Sequence, residues 1–401
     1  MKTRALSLFF VLAASPALAE TPAPMSAATL LGPDVKGPNW TVAESVRSDG
    51  FVRLYTVETP YGNFQVNGQR RMEQRLNELR ALSALEQMST TKTFAQALGN
   101  AGLAPIRFGR DLILDPVETT GNLFSGVANM FDRAVDEVEQ SSASRDDLVD
   151  SVAGVSKATR ELAFELKVDP YTDFTPLRDG LADVARAMAA GDLSITAAIS
   201  AIPGGAGVAV SATSTASTLA NPIRDKSSAE IAALVEAKLK PLDVDEDVID
   251  AFVQNKSFSP ADTYAIAEAL EGLKARNSEA FIRRAANADS ADLAKFHRHR
   301  AELMARHSAQ VGTLKEFYVV REFALNRNND GALVAVFPFD DLAWTEPAAK
   351  SLDLISLELA TRGETKQPIL ATAGKVSATA LAELKKRGWR VLILNDARAA
   401  L

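Results

Sequence analysis

Leu193 to Ile223 reads LSITAAISAIPGGAGVAVSATSTASTLANPI, a run without one charge in a chain otherwise dense with Asp, Glu, Lys and Arg. So many small and apolar residues in sequence must be covered, by protein or by lipid. Ile195, Ile199 and Ile202 fall at helical spacing before Pro203-Gly204-Gly205, and Val208, Ala212, Thr215 and Leu219 repeat that spacing after it. The stretch therefore predicts two small-faced helices joined by a tight turn. A bilayer crossing takes about 20 apolar residues, and each arm offers fewer, diluted by Ser and Thr. Burial in a helical core is the favoured reading. The alternative is a membrane-active protein that inserts the 193–223 hairpin, because small residues also let helices pack closely in lipid.

Outward from this stretch the pattern is helical on both sides. Upstream, 148–166 has helical periodicity, and Thr175-Pro176 opens a helix to about Ala189 that leads into the hairpin. Downstream, 229–240, 245–255, 260–276, 278–286 and 291–309 continue as helices with short polar breaks. Residues 105–313 are thus expected to form one helical domain over the hairpin. Near its start, Asp115 and Pro116 suit an N-cap and first turn, and Val117, Thr120, Leu123, Phe124, Val127 and Phe131 share one side.

The texture changes at 314–401. Segments 316–325 and 332–337 bracket Asn328-Asn329-Asp330-Gly331, a hairpin turn. Helices over 347–361 and 377–387 then alternate with strands at 368–371 and 389–394. Right-handed crossovers make the three strands parallel, so a small α/β domain is expected, with the hairpin strand on an edge. At the other end, 40–47, 51–58 and 63–66 predict a small β meander leaning on a helix over 69–88, with another short helix at 91–100. Together 39–104 form an amino-terminal unit. The fold class is α+β, mostly helical: amino-terminal meander, helical centre, carboxyl-terminal α/β domain.

Met1 to Ala19 has the pattern of a secretory signal: Lys2 and Arg4, a short apolar core, then Ala17-Leu18-Ala19 before Glu20. Cleavage near Ala19 implies a periplasmic or secreted protein. Residues 20–38, rich in Ala, Pro, Ser and Thr, are expected as an exposed leader. The net charge of −7 becomes more negative once Lys2 and Arg4 are removed, which disfavours nucleic acid and leaves at most peripheral membrane contact. With no cysteine, thiol catalysis, disulfides and Cys-ligated metals are excluded.

Chemistry has few candidates. The carboxyl ends of the three parallel strands carry Asp340 and Asp341, then Thr372 with Lys375, then Asn395 and Asp396. Ligands sit at such ends in open α/β sheets, and this set could hold Mg²⁺ and a phosphate, which gives a phosphohydrolase-like alternative. No DxDxT motif accompanies it. His297, His299 and His307 lie on one helix, but residues two apart diverge and residues eight apart are about 12 Å distant along the axis, so no metal site is expected. With Lys295, Arg298, Arg300 and Arg306 among them, they predict a solvated basic face. Gly205-Ala206-Gly207 lacks the preceding strand of a dinucleotide site, so no cofactor is expected. Asp169, Thr172 and Asp173 lack the EF-hand pattern and predict a turn and helix cap.

The segment FGRDLILDPVETTGNLFSGVANMFDRAVDEVEQ (108–140) and Val168-Asp169-Pro170-Tyr171 resemble exported proteobacterial proteins with no assigned function. That resemblance implies nothing about activity. The function expected is therefore an exported binding or scaffold protein, its partner an envelope component or another protein, with no evident catalytic chemistry.

Overall fold

In a computed structural model the chain is described over residues 19–100, 102, 104, 106, 126–133, 155–200 and 222–394. The expected segments that lie outside these residues are the signal up to 18, the helix start at 115–125, the connection at 141–147, the hairpin turn within 201–221, and Asn395 with Asp396.

The expected leader is tied down. β1 (Met25–Ser26) pairs with β4 (Ser45–Ser48), α1 (Ala27–Leu31) buries Ala27 and Leu31, and β2 (Lys36–Gly37) pairs with β3 (Trp40–Val42). Low-complexity composition shows weak intrinsic order, but the edge strands of the meander offer unpaired N–H and C=O groups that recruit a neighbouring segment. The meander itself forms as expected. β3 and β4 lie end to end along one side of β5 (Arg53–Thr59), and β6 (Gly62–Asn67) returns along the other. Val42, Val46, Tyr55, Val57 and Val66 share its buried face. The helix α2 (Gln69–Ser89) covers that face with Met72, Leu76, Leu79, Leu82 and Leu85.

The helices divide between two cores instead of forming one domain. After α3 (Lys92–Asn100) and α4 (Gly126–Arg133) come α5 (Lys157–Glu165), α6 (Thr175–Ala190) and α7 (Ile195–Ser200). Leu162, Leu177, Leu181 and Val184 of this group, with Phe94 of α3, join α2 and the meander in the amino-terminal core. The remaining helices are α8 (Ser228–Leu239), α9 (Glu246–Val253), α10 (Pro260–Leu273), α11 (Glu279–Ala285) and α12 (Ala291–Gln310). These pack with the carboxyl-terminal sheet in a second core, and Val127 and Phe131 of α4 join them. Periodicity tells which face of a helix is buried but not against which neighbour.

The described ends of the charge-free stretch lie in different cores. Ala198 of α7 is buried in the first, with Ile195 and Ile199 packed against it, and Ile223 is buried in the second. Among the described residues no helix is long and apolar enough to cross a membrane.

The second sheet runs β13-β11-β9-β8-β7. β7 (Leu314–Val320) and β8 (Phe323–Asn328) form a hairpin where the sequence predicts a single strand. The turn sits at Arg321, whose φ is 53°, and Arg321-Glu322 carries none of the Gly or Asn signals that mark turns. The next hairpin, into β9 (Leu333–Phe337), uses Asn328 to Gly331 as expected. After it come the two-residue strand β10 (Asp341–Leu342), α13 (Glu346–Thr361), β11 (Ile369–Thr372), β12 (Lys375–Val376), α14 (Ala378–Lys386) and β13 (Arg390–Ile393). β9, β11 and β13 are parallel, and β10 pairs with β12 in a small ribbon. Both crossovers step the same way across the sheet, so the strand order never reverses. A doubly wound sheet opens its ligand crevice at such a reversal.

The histidine helix α12 is interior rather than solvated. Lys295, His297, Arg300 and His307 are all buried, and burial with nearby Arg300 pushes His297 down to about 3. Arg300 lies 4.6 Å over the Phe337 ring and donates from Nε to Val336 O and from Nη2 to Ala324 O. The β8–β9 ladder is paired only at Asn326–Val334 and Arg327–Leu333, so beyond it the guanidinium ties one carbonyl from each strand. Burial, with the charge of nearby Arg284, brings Arg300 down to about 9.

Candidate functional site

The carboxyl ends of the parallel strands are where chemistry was expected, and the end of β9 is occupied by the chain itself. Asp49 sets up the intruding segment, because its Oδ1 accepts the N–H groups of Phe51 and Val52, both at 2.9 Å. Gly50 follows with φ +94°, and a Cβ there would collide with Thr345, so this approach requires glycine. Backbone pairing then seals the contact: Ala343 N to Gly50 O at 2.9 Å and Asp340 N to Phe51 O at 2.9 Å. Beneath it, Phe51 stacks on Phe131 at 4.5 Å, and Phe131 touches Phe323, Phe337 and Phe339. An aromatic plug thus fills the end of the sheet.

Asp340 and Asp341 are committed to this junction. Oδ2 of Asp340 accepts Arg53 N at 2.9 Å and Gln69 N at 2.8 Å. Gln69 opens α2, and the preceding N-cap is Gly68, which has no side chain to cap the helix, so Asp340 supplies the missing acceptor from the other core. Asp341 pairs with the Arg53 guanidinium through two bonds, 2.5 Å from Nε and 3.0 Å from Nη2. Arg53 also donates to Gln69 Oε1, which accepts the Tyr55 hydroxyl as well. Burial pushes Asp340 up to about 6, against the two N–H groups and the Arg53 charge. Burial opposes the charge of Arg53, but Asp341 outweighs it and raises its pKa.

The other expected site residues do not converge on these acids. Thr372 is fully buried, and its Oγ1 has no hydrogen-bond partner among the described residues. Lys375 has an exposed side chain and reaches Asp340 only through its backbone, N to O at 3.1 Å. That close approach needs Gly374, where a Cβ would overlap Asp340 O. Asp396 lies outside the described residues. Among the described residues no three His, Asp or Glu side chains are placed so that they could share a metal ion.

A second polar cluster continues the seam along α2. Asp173 pairs with Arg71 and Arg75, Glu78 accepts from Thr172, and Arg75 lies 4.4 Å over the Phe174 ring. Asn67 donates to Asp292 at 2.7 Å and Arg70 pairs with Glu302 at 2.8 Å. Deeper, Asp262 takes Lys295 at 2.8 Å and Arg298 at 3.0 Å. Asp169 accepts Tyr171 N and the Ser259 hydroxyl, both at 2.9 Å. The segment 168–174 therefore forms the turn that the sequence predicts but no side-chain cap on α6, whose N-cap is Phe174, and it is also a three-way joint between α2, α6 and α10.

No protein-family model matches this chain, and no curated protein or solved structure matches it.

Sequence reasoning missed Arg53 and Gln69 as members of the junction. Gly68 ahead of a long helix was the available signal, since a helix whose N-cap has no side chain needs an acceptor from elsewhere.

Proposed function

We propose that this protein is a non-catalytic binding or scaffold protein of the periplasm or envelope. One observation carries the reading: the end of β9, where the two acids would hold a phosphoryl ligand, is covered by Gly50, Phe51 and Arg53, and both acids there are engaged in holding the two cores together. A carboxylate that already accepts two N–H groups, and another locked in a bidentate pair, are poorly placed to bind a metal and a phosphate as well. Export rests on the amino-terminal signal pattern, and the acidic net charge favours a protein or envelope partner over nucleic acid. The described ends of the 193–223 stretch, Ala198 and Ile223, support its burial in protein.

The test is turnover of a phosphate-ester panel with and without Mg²⁺, alongside thermal melts. Asp341→Asn is expected to lower the melting midpoint by several degrees, since it halves a partly buried bidentate pair, while turnover stays at background. Mg²⁺-dependent turnover abolished by Asp340→Asn or Asp341→Asn, in proteins that remain folded, overturns the proposal.

A further inference from the structure

Among the described residues, Glu20 is the first that the fold takes hold of. Its backbone N donates to Trp344 O at 2.9 Å. Its carboxylate Oε1 accepts both the Trp344 N–H and the Ser377 hydroxyl. Trp344 is fully buried with Arg387 4.6 Å over its ring, so this receptor is part of the second core. Ser377 is held from both sides: its N–H reaches Leu342 O at 2.9 Å, and its hydroxyl caps α14 by accepting Ala380 N at 3.0 Å. The Glu20 carboxylate thus stands at the amino end of α14, where a negative charge is favoured. Ala19, one residue earlier, is exposed.

We infer that the Trp344–Ser377 edge is a docking site for the amino terminus that signal removal creates, with Glu20 as the residue it holds. This rests on the export reading above. Cleavage after Ala19 turns the Glu20 amide into an ammonium at the atom that already donates to Trp344 O, and a charged donor makes the stronger bond. One residue then presents an ammonium and a carboxylate to one backbone C=O, one backbone N–H and one hydroxyl. The start of the mature chain closes onto its carboxyl-terminal domain.

The experiment uses mature protein released from a fusion so that it begins at Glu20, the same chain with Ala19 retained, and the variants Glu20→Ala and Glu20→Gln. Hydrogen exchange at the Trp344 amide is read in each. Exchange is expected to be slowest in the chain that begins at Glu20 and slightly faster with Ala19 retained. In Glu20→Ala it should be faster by about fivefold or more, the effect of losing one or two hydrogen bonds. Glu20→Gln keeps an oxygen acceptor and should recover most of the protection. In parallel, the intact mass of protein recovered from an exporting host is expected to begin at Glu20. Unchanged Trp344 exchange in Glu20→Ala overturns the docking even if cleavage falls after Ala19. A different start overturns the assignment of the terminus even if Glu20 proves to be held.

Discussion

Asp340 and Asp262 are aspartates on the same seam, and their surroundings push them in opposite directions. Asp262 faces Lys295 and Arg298, which overcome the effect of burial and hold its carboxyl well below the usual range. Asp340 receives two backbone N–H groups, while the nearby Arg53 cation is bonded to Asp341, so burial wins and its pKa rises to about 6. A neutral N–H stabilises a carboxylate less than a full cation does. The Asp262 end of the seam therefore depends on charge, and the Asp340 end depends mainly on shape and hydrogen bonding.

The comparison breaks most visibly at Asp262. Asp262→Ala would leave Lys295 unpaired in the interior and Arg298 with Glu302 alone, at an expected cost of about 3–5 kcal/mol in urea unfolding. A loss under about 1 kcal/mol would mean that water reaches these cations and that the network is not the closed one described. Ser259→Ala probes the same end more gently. It removes the N-cap of α10 and the hydroxyl on Asp169, and about 1–2 kcal/mol is expected by the same measurement.

Asp340→Asn is expected to have its smallest effect near pH 4, where the amide resembles the protonated carboxyl and its oxygen can still accept both N–H groups. Its value is the pH dependence. The folded pKa of about 6 lies above the ordinary 3.8, so the folded state binds the proton more tightly between those values. Asp340's contribution is fully present below about pH 4 and is lost as pH rises through about 6. Relative to wild type, the variant should therefore gain stability between pH 4 and pH 7 in matched denaturation curves. A difference that stays flat across this window would show that Asp340 titrates like an exposed carboxyl.

How much of this was legible depended on whether the signal was local. The Asn328 to Gly331 turn, the stripe of α2, and the strand–helix–strand–helix–strand tail were all readable, because turn chemistry and periodicity act within a few residues. The Arg321 turn was not, since a residue at positive φ without Gly or Asn has no sequence mark. The basic pattern of α12 was misread for a related reason: interleaved Lys, Arg and His look solvated unless the Asp262, Phe281 and Phe337 that surround them are known. Asp340, Asp341, Thr372 and Lys375 lie near strand ends as read, but the partners of Asp340 and Asp341 come from the far end of the chain.

By itself the sequence determined that the chain is α+β and mostly helical, where most of its described helices and strands fall, and that no disulfide holds it. These follow from residue chemistry and short-range spacing. Only the tertiary structure decided that the helices divide between two cores, that residues 50–53 fill the end of the carboxyl-terminal sheet, and that Asp340 caps a helix in the other core. Those outcomes depend on contacts between residues hundreds of positions apart, such as Arg53 with Asp341 and Glu20 with Trp344. No periodicity encodes such contacts, and packing selects them only once both surfaces exist.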